Sequence, residues 1–581
     1  MKISAITIEN FKSISAPIRI ELKPITLLFG PNSVGKSSVI QALHYAREIL
    51  CNKKSPDIDT VEYGGDFVRL GGFKNIVHGH DLNRAIRLRF ELGLQYGTIG
   101  VDDSLTNDFV DYVNYWVRDL PNDATKVEDF FLNQVAQGFL PWLEIIIKDF
   151  SVSSTSIGFG ETTFLTFEGQ TFDISKQYTV DTSSKLFPLD GNDSISSLRL
   201  EAISALEPFS DQNIKEEIDR RFNGRLFDAR ESLAKSRSDK RLPLPALEAV
   251  PDRLLQIYIL MGMCSRVSAT AFKEEYITYR KELVAIDKGL IATCQRFQDI
   301  NNAVYSVISN YVQNDLNTFR YIGPLREVPQ LSSAPPEGVE PARWANGLAA
   351  WDAMKLPQDT VNIVNKWLDS ERFNTGYSIG VKHFKTMTIE VGQENEDAEA
   401  FLAMYKEQPI SRVDLCLFDK AHGVKLQPSD IGIGISQLLP IITLVTGRYI
   451  EGITAIEQPE LHIHPAMQLI LGDLFIEGLN RFGGKNYEFK NRFIIETHSE
   501  HLLLRLLRRI RELACIDYDK LLYNEKEKLA YSNYDASSLA IHVLEPSKNG
   551  VKVTHIRVDE EGEFMDRWPQ GFFNDRAEEI F

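Results

Sequence analysis

The stretch Gly30-Pro31-Asn32-Ser33-Val34-Gly35-Lys36-Ser37 constrains this chain more than any other. Immediately before it stand the apolar residues Ile25-Thr26-Leu27-Leu28-Phe29, which read as a buried strand. Immediately after it Val39, Ile40, Ala42, Leu43 and Ala46 recur at helical spacing. A strand that feeds a helix through a glycine loop aims several backbone N–H groups at one point, which suits a phosphate. Lys36 is then placed for the β- and γ-phosphates of ATP and Ser37 for Mg²⁺, with Gly30, Asn32, Ser33, Gly35 and Ser38 lining the cradle. A chance glycine turn is the bland alternative, and the flanking strand and helix argue against it.

A chain of 581 residues holds roughly three to five domains, or one domain with large insertions. Lys and Arg number 64 against 81 Asp and Glu, a formal charge of −17, and apolar residues make up 43%. Wholesale disorder and a basic coat are excluded, so any nucleic-acid contact has to come from a local basic stripe. Two such stripes exist, residues 220–241 and the set Arg505, Arg508, Arg509 and Arg511. A solvated helix face is the plainer reading of both, because neither is clearly interleaved with aromatics for stacking. The cysteines, Cys51, Cys264, Cys294, Cys416 and Cys515, form no CxxC pair, which argues against a disulfide framework or a thiolate zinc site. The opening MKISAITIENF lacks a signal-peptide pattern, and the longest apolar runs fall short of the about 18 residues that span a bilayer. The expectation is a soluble cytoplasmic protein with no membrane partner.

Strands are expected around Ile6 and Ile8, over Ile18–Leu22, and again at Tyr377–Val381, Thr386–Val391 and Val413–Leu417. Residues 102–317 read as mostly helical apart from a strand-like stretch at Gly158–Val180. Pro329–Arg343 reads as a surface loop, Leu502–Leu513 as a helix, and Leu539–Leu544 with Val551–Val558 as a hairpin.

Three further clusters carry chemistry. Ile453-Thr454-Ala455-Ile456 is a buried strand ending in Glu457-Gln458-Pro459-Glu460, and an acid at such a strand end is where a phosphate-loop enzyme holds Mg²⁺, which makes Glu457 the candidate. His462 and His464 follow as HxH, without the spacing of a helical zinc pair, and packing is the preferred reading. Gly432-Ile433-Gly434-Ile435-Ser436-Gln437 leads into an apolar helix; taken alone it is a plain turn. Phe493-Ile494-Ile495-Glu496-Thr497-His498-Ser499 is a strand that ends in a histidine, and such a histidine is most often structural when read alone.

The order of the four clusters resembles the ABC-type ATPase heads of the OLD, RecF and SMC-like group. It is more closely similar to bacterial AAA-family ATPases that end in a DUF3696 domain, as are residues 8–14, residues 320–327 and Trp568-Pro569-x-Gly571-Phe572-Phe573. The resemblance implies an α/β fold: an ABC-type head with a mixed or parallel sheet, a large, mostly helical insertion and a small C-terminal α+β element. The head would comprise residues 1–95 and 316–500, the insertion 96–315, and the C-terminal helix and hairpin 501–581. Ser436 would act in trans on the γ-phosphate held by a second protomer, so that Mg·ATP joins a homodimer or higher oligomer. His498 matches the switch histidine and Glu457 the Mg²⁺-binding acid, and Arg326 is a candidate for phosphate or the dimer seam.

One departure from the family pattern matters. ABC-type heads place a Glu after the Mg²⁺-binding acid to orient water, and here that position is Gln458; an amide orients water but takes no proton, so slow hydrolysis is expected, with Glu460 a candidate substitute. Asp517-Tyr518-Asp519 does not follow an apolar strand, so a nuclease is expected as a partner protein and not within this chain. The family analogy implies an ATP-gated dimeric sensor and scaffold controlling an effector, such as a nuclease, in antiphage defence of the Septu or retron-associated kind. The rivals are an ATPase that engages DNA in repair and a switch that binds ATP without hydrolysing it.

Overall fold

The computed structural model describes residues 1–57, 70–93, 140–168, 178–180, 305–329, 336, 338–356, 359–386, 398–447, 452–480, 491–514, 534–548 and 550–569. The basic stretch 220–241, Asp517-Tyr518-Asp519, most of Thr386–Val391 and the closing Gly571-Phe572-Phe573 lie outside them. The chain divides into one unit comprising Met1–Val101, Ile147–Ser151 and Tyr311–Phe581, and a second comprising Asp102–Ile146 and Val152–Asn310.

In the first unit, β1 (Lys2–Glu9), β2 (Ile18–Glu21) and β4 (Ile86–Gly93) form antiparallel pairs, β1 lying between the other two. Between β2 and β4 come β3 (Ile25–Phe29) and α1 (Lys36–Leu50), the strand and helix that flank the glycine loop. The remaining elements of this unit are β9 (Arg320–Ile322), α2 (Leu348–Lys355), α3 (Asp359–Leu368), β10 (Tyr377–Lys385), α4 (Ala398–Glu407), β11 (Ile410–Asp419), β12 (Val424–Leu426), α5 (Ile433–Thr446), β13 (Gly452–Glu457), α6 (Pro465–Asn480), β14 (Asn491–Glu496), α7 (Glu500–Ala514), β15 (Leu539–Ser547) and β16 (Gly550–Ile556).

The central sheet runs in the order β16-β15-β3-β14-β13-β9. All neighbours are parallel except the β15–β16 hairpin. Every residue of β3, β13 and β14 is buried, as expected of parallel strands covered on both faces, which need continuous apolar runs instead of alternation. On one face α7 buries Leu502, Leu503, Leu506, Leu507 and Ile510 at helical spacing. Its arginines are engaged within the chain: Arg505 and Arg509 with Asp473, Arg508 with Glu512, and Arg511 with Glu563. β10, β11 and β12 form a separate antiparallel sheet.

The C-terminal hairpin extends the central sheet and sits directly beside β3, a placement that its local pattern could not specify. Most of β5 (Pro141–Lys148) and β6 (Ser151–Phe159), with β7 (Thr162–Glu168) and β8 (Tyr178–Val180), belong to the second unit, β6–β7 and β7–β8 being antiparallel. Thus part of the stretch expected to be mostly helical is a β-meander. In β5, Leu143, Ile145 and Ile147 are buried alternately, which is strand periodicity, and β6 ends in a continuous buried run, Thr155–Phe159. Residues 305–317 are helical.

Candidate active site

The glycine loop leaves β3 with Gly30 at φ 139°, passes Ser33 at φ 62°, and enters α1 from Gly35 at φ 119°. Gly30 is required for two reasons: its positive φ, and a carbonyl oxygen of Leu544 that would lie 2.2 Å from any Cβ placed there. At Gly35 a Cβ would meet the Ser13 hydroxyl at 2.4 Å. Asn32 and Ser33 are exposed at the loop tip, whereas Lys36 and Ser38 are buried. The Lys36 ammonium donates to the carbonyls of Gly30 and Pro31, both at 2.9 Å, and its Nζ lies 3.7 Å from Glu496 Oε1. Burial lowers its pKa against the pull of Glu496, Glu460 and Glu457. Ser37 Oγ donates to Glu496 Oε2 at 2.8 Å.

Glu496 is therefore the residue that sequence reasoning missed, although the signal was present. Two apolar strands each end in Glu, and in the sheet Glu457 pairs in register with Glu496. Because β14 lies between β3 and β13, its terminal carboxylate is the nearer one to the loop. Glu457 is 8% exposed; burial, then the charge of Glu496, pushes its carboxyl up to about 7, with a hydrogen bond from Tyr321 opposing.

The remaining candidates surround this pair. Gln458 has φ 44° and donates its N–H to the Glu496 carbonyl at 2.8 Å. Glu460 Oε1 accepts from the His498 N–H at 2.7 Å, while Glu460 Oε2 and His498 Nε2 are buried without a partner among the described residues. Burial raises the Glu460 pKa, and burial followed by the Lys36 charge lowers that of His498. His464 accepts through Nδ1 from the Ala466 N–H at 3.2 Å, a capping bond at the start of α6.

Ser436 is not brought into this cluster by hydrogen bonding: its hydroxyl donates to the Ile433 carbonyl at 2.8 Å, inside its own helix start. Its neighbour Gln437 makes the connection instead. Gln437 accepts from the Arg326 N–H at 3.1 Å and donates to the Arg326 carbonyl at 2.7 Å, while Arg326 Nη2 donates to the carbonyls of Glu457 at 2.7 Å and Gln458 at 3.3 Å. Arg326 is only 3% exposed, and burial pushes its pKa down to about 10. Arg326 is thus held through its backbone by Gln437 at the start of α5 and through its side chain by the end of β13.

A Mg·nucleotide fits these residues. A buried ammonium, a hydroxyl and two carboxylates converge at the loop, and Arg326, Glu460 and His498 leave buried polar atoms without a partner among the described residues. Such a group would be held by Lys36 and the loop amides at its phosphates and by Ser37 and the carboxylates at its metal, which supplies charge neutralisation for phosphoryl transfer.

Three solved structures share low overall similarity with this chain. A Pyrococcus furiosus Smc head domain, with an extended coiled coil and bound to the C-terminal domain of ScpA, is 9% identical, covering 100% of this chain and 98% of its own at a TM-score of 0.32. An SmcHead bound to the C-winged helix domain of ScpA is 9% identical, covering 96% and 99% at 0.31. The Thermotoga maritima SMC head domain is 7% identical, covering 96% and 100% at 0.32. No curated protein matches. The family model of the AAA ATPase domain matches residues 1–230 and 297–503, which is more than half of the chain, and the chain belongs to that family.

Proposed function

We propose that this chain binds and slowly hydrolyses Mg·ATP as a nucleotide-gated cytoplasmic dimer. The observation that carries the reading is the convergence of Lys36, Ser37, Glu457 and Glu496 at the ends of adjacent parallel strands. Lys36 and the loop bind the phosphates, Ser37 and Glu457 hold Mg²⁺, and Gln458, Glu460 and His498 position water and the γ-phosphate. Ser436 completes the site of the other protomer. The head comprises residues 1–95 and 316–500, 96–315 is an insertion, and 501–581 supplies the helix and hairpin. The output is control of a partner effector, a nuclease, in antiphage defence, a step that rests on the sequence resemblance; an ATPase engaging DNA in repair is the alternative within the same family.

The test is steady-state ATP hydrolysis by the full chain with Mg²⁺, with Lys36→Ala as blank and nucleotide binding measured in parallel. Turnover at least about tenfold above the blank is expected, and Lys36→Ala binds no nucleotide. A second reading, a switch that binds ATP without turnover, is favoured by the amide at Gln458; tight binding with turnover equal to the blank would establish it. Absence of binding would sink both.

A further inference from the structure

The side chains of the loop are engaged within the chain. Lys36 Nζ is shared between the Gly30 and Pro31 carbonyls and faces Glu496 Oε1 at 3.7 Å, and Ser37 Oγ is committed to Glu496 Oε2 at 2.8 Å. One carboxylate thus engages both side chains assigned above to phosphate and metal. Glu496 is 6% exposed, so its charge is weakly screened. It is fixed at the end of β14, one strand from the loop, and its own carbonyl is held by the Gln458 N–H.

Resting on the nucleotide reading, we infer that Glu496 is an internal competitor of the phosphates: it holds Lys36 and Ser37 until a divalent cation arrives with the nucleotide, and so makes the chain select Mg·ATP over free ATP. The physics is a matter of sign. Free ATP brings its full negative charge against Glu496 with one lysine at the loop to offset it, whereas Mg²⁺ neutralises part of that charge and gives Glu496 and the Ser37 hydroxyl a new centre to face. The residue acts through Lys36 and Ser37, and is in that sense a positioning residue whose effect is on which form of the nucleotide binds.

The test is equilibrium binding of a fluorescent ATP analogue to the full chain, in EDTA and in Mg²⁺, with folding of each variant checked by its thermal transition. In the wild type Mg²⁺ is expected to tighten binding about 100-fold or more. In Glu496→Gln, affinity in EDTA rises about tenfold and the Mg²⁺ effect shrinks by at least that factor, because the same coupling is read from either ligand. Glu496→Asp keeps the charge and retains the wild-type Mg²⁺ effect. An EDTA affinity that is unchanged or weaker in a folded Glu496→Gln overturns the proposal while leaving nucleotide binding intact. So does a Glu496→Asp that matches Glu496→Gln. If the wild type binds nucleotide in neither condition, the nucleotide reading falls and takes this inference with it.

Discussion

Glu457 carries a prediction of its own at the scale of the single residue. Its carboxyl, ordinarily near 4.5, is pushed up to about 7, so the folded state holds a proton that the unfolded chain has already lost. The stability contributed by this group is complete below about pH 4.5 and is lost as pH rises toward 7. Glu457→Gln in the nucleotide-free protein should therefore raise stability by about 1–3 kcal/mol at pH 8 and change it little at pH 4.5, read from urea midpoints at the two pH values. The positions of the loop residues and Glu457 were legible in the sequence because the elements that carry them follow from local order: strand, glycine turn, helix, strand-end acid. Glu496 was not, because a carboxylate's importance here depends on which strand lies next to the loop, and an apolar run does not say who its neighbours are.

Between elements, the connection from α5 to β13 runs through buried hydrogen bonds of Arg326 and Gln437. Gln437→Ala leaves the Arg326 N–H and carbonyl without their partners in a buried place, which should cost about 2–4 kcal/mol by chemical denaturation. Arg326→Lys keeps a charge but loses the fork that reaches the Glu457 and Gln458 carbonyls. Its expected signature is a fall in kcat of about tenfold or more with KM little changed, since Glu457 and Gln458, proposed above to hold Mg²⁺ and position water, move while the phosphate loop stays in place. Sequence reasoning found the helix and the strand that these residues join, from periodicity, and it marked Arg326 as notable. Which groups Arg326 meets is not written in that periodicity; the carbonyls of Glu457 and Gln458 are the partners that allow its guanidinium to be buried.

At the scale of the whole molecule, Asp315 ties distant parts of the first unit together. It is fully buried and accepts from the Ile3 N–H at 2.7 Å and from Arg492 Nη2 at 2.5 Å, with Lys2 Nζ at 3.3 Å. Removing the charge leaves Arg492 buried without its counter-ion, and Asp315→Asn should cost about 3–5 kcal/mol, seen as a lowered thermal midpoint with nucleotide affinity retained in the folded fraction. No sequence pattern marks this pairing, because its members lie at both ends and in the middle of the chain. The same long reach governs β3. Its neighbours on either side, β14 and β15, are encoded near the far end of the chain. At about 5–20 residues per second, a ribosome emits the phosphate loop about 25–100 seconds before those strands exist. The nascent chain thus carries a complete nucleotide-binding motif on a strand with two open edges. Pairing of β3 on both edges waits for residues 491–496 and 539–547, and a message truncated before them yields a product in which the strand behind the phosphate loop is left open.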